Sequence, residues 1–97
     1  MASKFYTGQC IFDLHVANSQ SLKEKRRVIK SIKEKLKNRF NVAVCEFGDL
    51  SLWQRSQLGI VTCSNDRAVV DSTIRMVTSF LERVHTVALL DIKQSII

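Results

Sequence analysis

The 97-residue chain has no proline and only three glycines, Gly8, Gly48 and Gly59. So little punctuation excludes a long flexible linker, and it disfavours a glycine-rich phosphate loop of the P-loop or Rossmann kind, where backbone must approach the phosphates closely. Cysteine is also sparse. Cys10, Cys45 and Cys63 are odd in number, far apart and set in apolar strand-like runs. That pattern fits buried reduced thiols and not a disulfide framework or a zinc site. No stretch reaches about 18 consecutive apolar residues, the length a membrane helix requires. Asp13 and His15 interrupt the apolar run that starts at Cys10, so a signal-peptide core is not expected either. With 45% hydrophobic and 25% charged residues and no low-complexity tail, the composition is that of a folded globule. The length suits one domain over residues 1–97, built on one core, and the expected location is the cytoplasm.

What the chain does have is charge gathered in one place. Nine of its fifteen basic residues lie between Ser21 and Arg39, where only Glu24 and Glu34 oppose them. The segment carries +7, the whole chain +6 and everything else −1. A basic helix on a nearly neutral body is a directional electrostatic footprint, whose natural counterpart is a polyanion.

Local periodicity places this segment in a fold. Cys10, Phe12, Leu14 and Val16 alternate with Ile11, Asp13 and His15, which predicts a half-buried strand over Phe5 to Val16. Ser21 with Glu24 three residues later is a capping-box signal for a helix starting at Leu22, with Leu22, Ile29, Ile32, Leu36 and Phe40 on its apolar face. Val42 to Phe47 alternates as a second strand, Gly48-Asp49 breaks the pattern, and Leu58 to Cys63 forms a third. Ser64-Asn65-Asp66 offers N-cap chemistry to a second helix carrying Val70, Ile74, Val77, Leu81 and Val84, and Val87 to Ile97 closes the chain as a fourth strand. Two βαβ units with right-handed crossovers give an α+β, ferredoxin-like βαββαβ fold: a four-stranded antiparallel sheet with both helices on one face.

At about 100° per residue, Lys23, Arg26, Arg27, Lys30, Lys33 and Lys37 form a stripe beside and opposite the apolar arc of the first helix, and only Glu34 intrudes. Lys23/Arg27, Arg26/Lys30 and Lys33/Lys37 are like charges at i,i+4, and the cations near the helix start oppose its macrodipole. Local helix stability therefore does not explain the stripe. It serves either as a solvated face that keeps a small protein in solution or as a surface for phosphate backbone. Lys25 falls on the apolar side, as a snorkelling side chain or as the partner of a strand carboxylate such as Glu46. In the loop from Gly48 to Arg55, Trp53 beside Arg55 either covers the open end of the core or meets a partner or nucleotide.

Other functions find little support. RNA recognition on the sheet needs aromatics on the open face of the central strands, and the expected open-face set of Ile11, Asp13, His15, Val61 and Cys63 has none. Such a moderately apolar face suits burial by a second copy, so a homodimer through the sheet is an alternative. His15 or His85 with Asp13, Glu46, Asp49 or a cysteine would be the best catalytic assembly, but none has motif spacing. No catalytic group, metal or cofactor is expected.

Ser21-Leu22-Lys23-Glu24-Lys25-Arg26-Arg27, followed by Arg39-Phe40-Asn41-Val42, Ala43-Val44-Cys45-Glu46, Leu52-Trp53-Gln54-Arg55 and Ser64-Asn65-Asp66, resembles the YlxP-like family of small bacterial proteins. The resemblance runs in order over nearly the whole chain. It implies a ferredoxin-like fold in a bacterial cytoplasmic protein without assigned catalytic residues. Family genes often neighbour those of transcription elongation, translation initiation and ribosome maturation factors, which points by association to RNA or the ribosome. The combined expectation is an accessory protein that holds RNA or a ribosomal particle through Lys23, Arg26, Arg27, Lys30, Lys33 and Lys37, with Trp53 and Arg55 as further partner contacts. The alternative is a protein-interaction module, homodimeric or with another partner.

Overall fold

A computed structural model describes residues 3–97. The elements are β1 (Tyr6–Val16), α1 (Leu22–Arg39), β2 (Ala43–Phe47), β3 (Arg55–Ser64), α2 (Arg67–Glu82) and β4 (Val87–Ile96). They form one antiparallel sheet in the order β2-β3-β1-β4, the expected ferredoxin-like arrangement. β1 sits at the centre, paired with β3 from Tyr6↔Ser64 to His15↔Arg55 and with β4 from Gly8↔Ile96 to Val16↔Val87. A bulge beside Asp13 and Leu14 shifts the β4 register, and Leu90 of β4 is exposed there.

The period-two reading of β1 holds along its length. Cys10, Phe12, Leu14 and Val16 are at most 1% exposed, while Ile11, Asp13 and His15 lie on the other face. Ile29, Ile32 and Leu36 of α1 and Val70, Ile74, Val77 and Leu81 of α2 close the core from above. Gly8 marks the closest approach of the layers: a Cβ there would meet Val70 Cγ1 at 2.6 Å and Ile74 Cδ1 at 2.8 Å.

Both helices begin where their caps dictate. The Ser21 hydroxyl accepts from the Glu24 N–H at 3.1 Å, and the Gln20 N–H donates to Glu24 Oε2 at 2.7 Å. The reciprocal bond of the capping box thus reaches one residue further back than its usual form. Asp66 caps α2 by accepting from the Ala68 N–H at 2.9 Å. α2 ends at Glu82, so Val84 packs on the core from beyond the helix.

Two expectations need correction. β3 begins at Arg55, not Leu58, because polar Ser56 points inward to donate to Glu46 Oε2 at 2.7 Å while Arg55 and Gln57 pair with β1. Of the cysteines only Cys10 is buried; Cys45 and Cys63 fall on the outward beat of β2 and β3 and are exposed.

Lys25 supplies the fold's central polar contact. Its side chain is fully buried, and Nζ lies 3.2 Å from Glu46 Oε2. It donates to the Leu50 carbonyl at 3.0 Å and reaches the Arg55 carbonyl at 3.5 Å. The pairing expectation is met, and snorkelling is not how the charge is satisfied. One ammonium thereby joins α1, β2, the 48–54 loop at Leu50 and the first residue of β3, and the sharp turn into that loop uses Gly48 at φ +82°. The Gln54 carbonyl accepts from the Val16 N–H at 2.9 Å, and Gln54 Nε2 donates to the Ser19 carbonyl at 3.0 Å, which fixes the loop exit.

Removing one partner of a buried pair strands the other charge, so Glu46→Ala should cost about 3–5 kcal/mol, read from the urea midpoint. The double replacement Lys25→Met with Glu46→Leu should recover most of that loss. Burial pushes the Cys10 thiol up to about 11. A thiol-alkylating reagent at neutral pH should therefore modify Cys45 and Cys63 in the folded protein and Cys10 only in denaturant, as counted by intact mass.

Candidate functional site

Because Lys25, Ile29, Ile32 and Leu36 point into the core, the orientation of α1 about its axis is fixed, and the basic stripe must face outward. Lys23, Arg26, Arg27, Lys30 and Lys37 are exposed, and Lys33 is half-buried. None of these six pairs with a carboxylate among the described residues. Exposed Glu24 and Glu34 lie on the same helix but form no ion pair with the stripe, so most of the field of the like charges at i,i+4 is directed at solvent.

Trp53 is 53% exposed, on a loop also carrying exposed Leu50 and Leu52. It does not cap the core. Arg55 takes a different position, turned onto the open sheet face, where Nη2 donates to Asp13 Oδ2 at 2.7 Å. The structure therefore sets Arg55 on the sheet face opposite the helices, apart from the stripe. Asp49 in the same loop is held below the usual carboxylate range, first by the Ser51 hydroxyl and then by the Ser51 N–H.

The open sheet face carries Ile11, Asp13 and His15 of β1 with Val61 and Cys63 of β3, as their alternation predicts. The central strands offer no aromatic there. Edge strand β2 adds one that the sequence reading left out: Phe47, 36% exposed, which with Gln9, Ile11, Ala43, Cys45, Gly59 and Val61 borders a shallow apolar hollow of about 360 Å³. The signal was present in the outward beat of Ala43, Cys45 and Phe47.

Of the groups weighed for catalysis, Asp13 and Asp49 border one small hollow with Arg55 and Ser56, which neither histidine lines. Glu46 is engaged by Lys25 and Ser56, Asp49 by Ser51, and Asp13 by Arg55. His15 lies on the open sheet face and His85 against the helices. No group of three metal-ligating side chains occurs among the described residues, and no helix described is long and apolar enough to cross a membrane.

A concavity of about 880 Å³ lies between the helices. α1 supplies Arg27, Val28, Ser31, Ile32, Lys35 and Arg39, followed by Phe40, and α2 with its exit supplies Met76, Ser79, Phe80, Arg83, Val84, His85 and Thr86. Phe40 meets Phe80 edge-on with centroids 6.2 Å apart, and the Arg39 guanidinium lies 5.3 Å from the Phe80 centroid. Only Arg27 belongs to both this groove and the predicted stripe. Lys35, Arg39, Arg83 and His85 come together here from the two halves of the chain, a grouping that helical periodicity in either half does not reveal.

Comparison with known proteins agrees with this architecture. Residues 7–94 match the family described as protein of unknown function, DUF503. The chain is 36% identical over 67 residues to the uncharacterized protein YlxP of Bacillus subtilis (strain 168), which covers 69% of this chain and 73% of that relative. Among solved structures it is similar to the de novo designed protein Foldit4, with a TM-score of 0.52 and 12% identity over 95% of this chain and 97% of that one. A C-terminal segment of the alpha subunit of aIF2 from Pyrococcus abyssi gives a TM-score of 0.53 at 13% identity, covering 89% of this chain and 49% of the other. At such low identity these two structures share the fold alone. The family match runs from β1 into β4 and takes in the SLKEKRR and LWQR segments, so this protein belongs to the DUF503, YlxP-like family.

Proposed function

We propose that this protein is a non-catalytic accessory factor of RNA or a ribosomal particle in the cytoplasm, and that it holds phosphate backbone through the exposed stripe of α1. The observation that carries this reading is the absence of any carboxylate partner for Lys23, Arg26, Arg27, Lys30, Lys33 and Lys37 among the described residues. Like charges at successive helical turns weaken an isolated helix, and a polyanion that neutralises them releases counterions and restores the balance. Positioning is the mechanism; no bond is made or broken. Phosphate contacts carry no sequence information, so binding has little sequence preference. Trp53, exposed on its tethered loop, adds a stacked or partner contact.

A second reading rests on the open sheet face. Ile11, Ala43, Cys45, Phe47 and Val61 leave an apolar hollow in solvent, which a second copy or another protein would cover, with α1 merely solvated. Light scattering over a concentration series checks the homodimer, which requires the mass to double.

Titration of a labelled ribosomal RNA fragment tests the first reading. With about four phosphates neutralised, affinity should fall on the order of 10²-fold when salt rises from about 50 to about 200 mM. The combined variant Lys23→Gln, Arg26→Gln, Lys30→Gln and Lys37→Gln, which spares the interhelical groove, should abolish binding. A flat salt response, or equal binding by that variant, removes the stripe as the functional surface.

A further inference from the structure

The interhelical groove has a chemistry of its own. Arg27, Lys35, Arg39, Arg83 and His85 line it, and no carboxylate does among the described residues. Its floor is aliphatic and aromatic, and Met76 stands 49% exposed within it. A merely solvated basic surface has no need of an apolar floor, and a merely apolar hollow has no need of a ring of cations. We propose that this groove docks an acidic amphipathic helix of a partner protein, whose apolar stripe lies on Val28, Met76 and Phe80 while its carboxylates meet the flanking cations.

Charge and dimensions select that occupant. β1 and β3 are antiparallel, so the helices that follow them are too, and they form the walls of a trough. From Arg27 to Arg39 the α1 wall runs about 18 Å, the length of three to four helical turns. Anchors at i, i+3/i+4 and i+7 fit such a length, and methionine adapts its shape to different apolar anchors. Nucleic acid fits less well: Arg39 already lies over the Phe80 ring that would stack a base, and phosphates would leave the aliphatic floor covered by nothing apolar. A second copy is disfavoured too. Groove against groove sets cations on cations in a chain of net charge +6, and open sheet face against groove is a head-to-tail contact that closes no dimer.

The probe is a fluorescein-labelled helical peptide of about 14 residues, with leucine at the anchor positions and glutamate on both flanks. Its control is a scramble of the same composition. Anisotropy titration against the full chain should show the designed peptide binding at least about tenfold more tightly than the scramble. Met76→Glu, and separately Lys35→Glu, should each weaken binding by about tenfold or more. Both positions are exposed, and circular dichroism verifies that each variant is folded. Lys93→Gln, exposed on β4 across the sheet from the groove, should leave peptide affinity unchanged. Absence of binding, equal binding of the scramble, or indifference to Met76→Glu each overturns the proposal. Displacement of the peptide by single-stranded RNA that itself requires Met76 would assign the groove to nucleic acid instead. The RNA reading of the α1 stripe can fail while this one stands, because the quadruple glutamine variant leaves every groove residue in place.

Discussion

One buried ammonium constrains the rest of the molecule. Moving an ion such as Lys25 out of water costs several kcal/mol, which only a full set of partners offsets. Glu46 and the Leu50 carbonyl supply the close contacts, and Ser56 holds the Glu46 carboxylate in place. That requirement ties α1 to β2, fixes where β3 begins, and tethers the loop that displays Trp53. It also sets the rotation of α1: with Lys25 inside, helical geometry turns Lys23, Arg26 and Lys30 outward.

The helix layer therefore presents two electropositive surfaces of different kinds. The α1 stripe is a solvated row of long flexible cations without an apolar component, suited to a continuous backbone of phosphates. The groove mixes cations with aromatic and aliphatic contacts, and its guanidinium over Phe80 is already partly ordered by the fold. Such mixed surfaces are selective, because an occupant must supply both charges and apolar bulk. Arg27 stands where the two meet.

The opposite face of the sheet has a different character. Its hollow at Ile11, Phe47 and Val61 is apolar, its ion pair is the Arg55–Asp13 contact, and two of the three thiols open onto it. The strong charges of one layer and the apolar residues of the other are separated by a single core thickness. Two binding events on the two faces would not compete for the same side chains.

Much of this was legible in the sequence because its signals are local. Alternation over Cys10 to Val16, the Ser21–Glu24 cap, the Asp66 cap and the helical spacing of Val70 to Leu81 each report a periodicity within one element, and backbone geometry enforces those periods wherever one face is buried. The +7 segment and its outward stripe follow from the same arithmetic, as does the inward placement of Lys25. The start of β3 was not legible, because Arg55-Ser56-Gln57 is polar and becomes strand only when Ser56 finds Glu46 across the sheet. Nor was the exposure of Trp53, which depends on carbonyls held by a lysine from α1. The groove is the clearest case. Lys35 and Arg39 look like ordinary solvated helix residues, and Arg83 and His85 like a linker; only the packing of α1 on α2 makes them neighbours, through contacts between the two halves of the chain that no local period encodes.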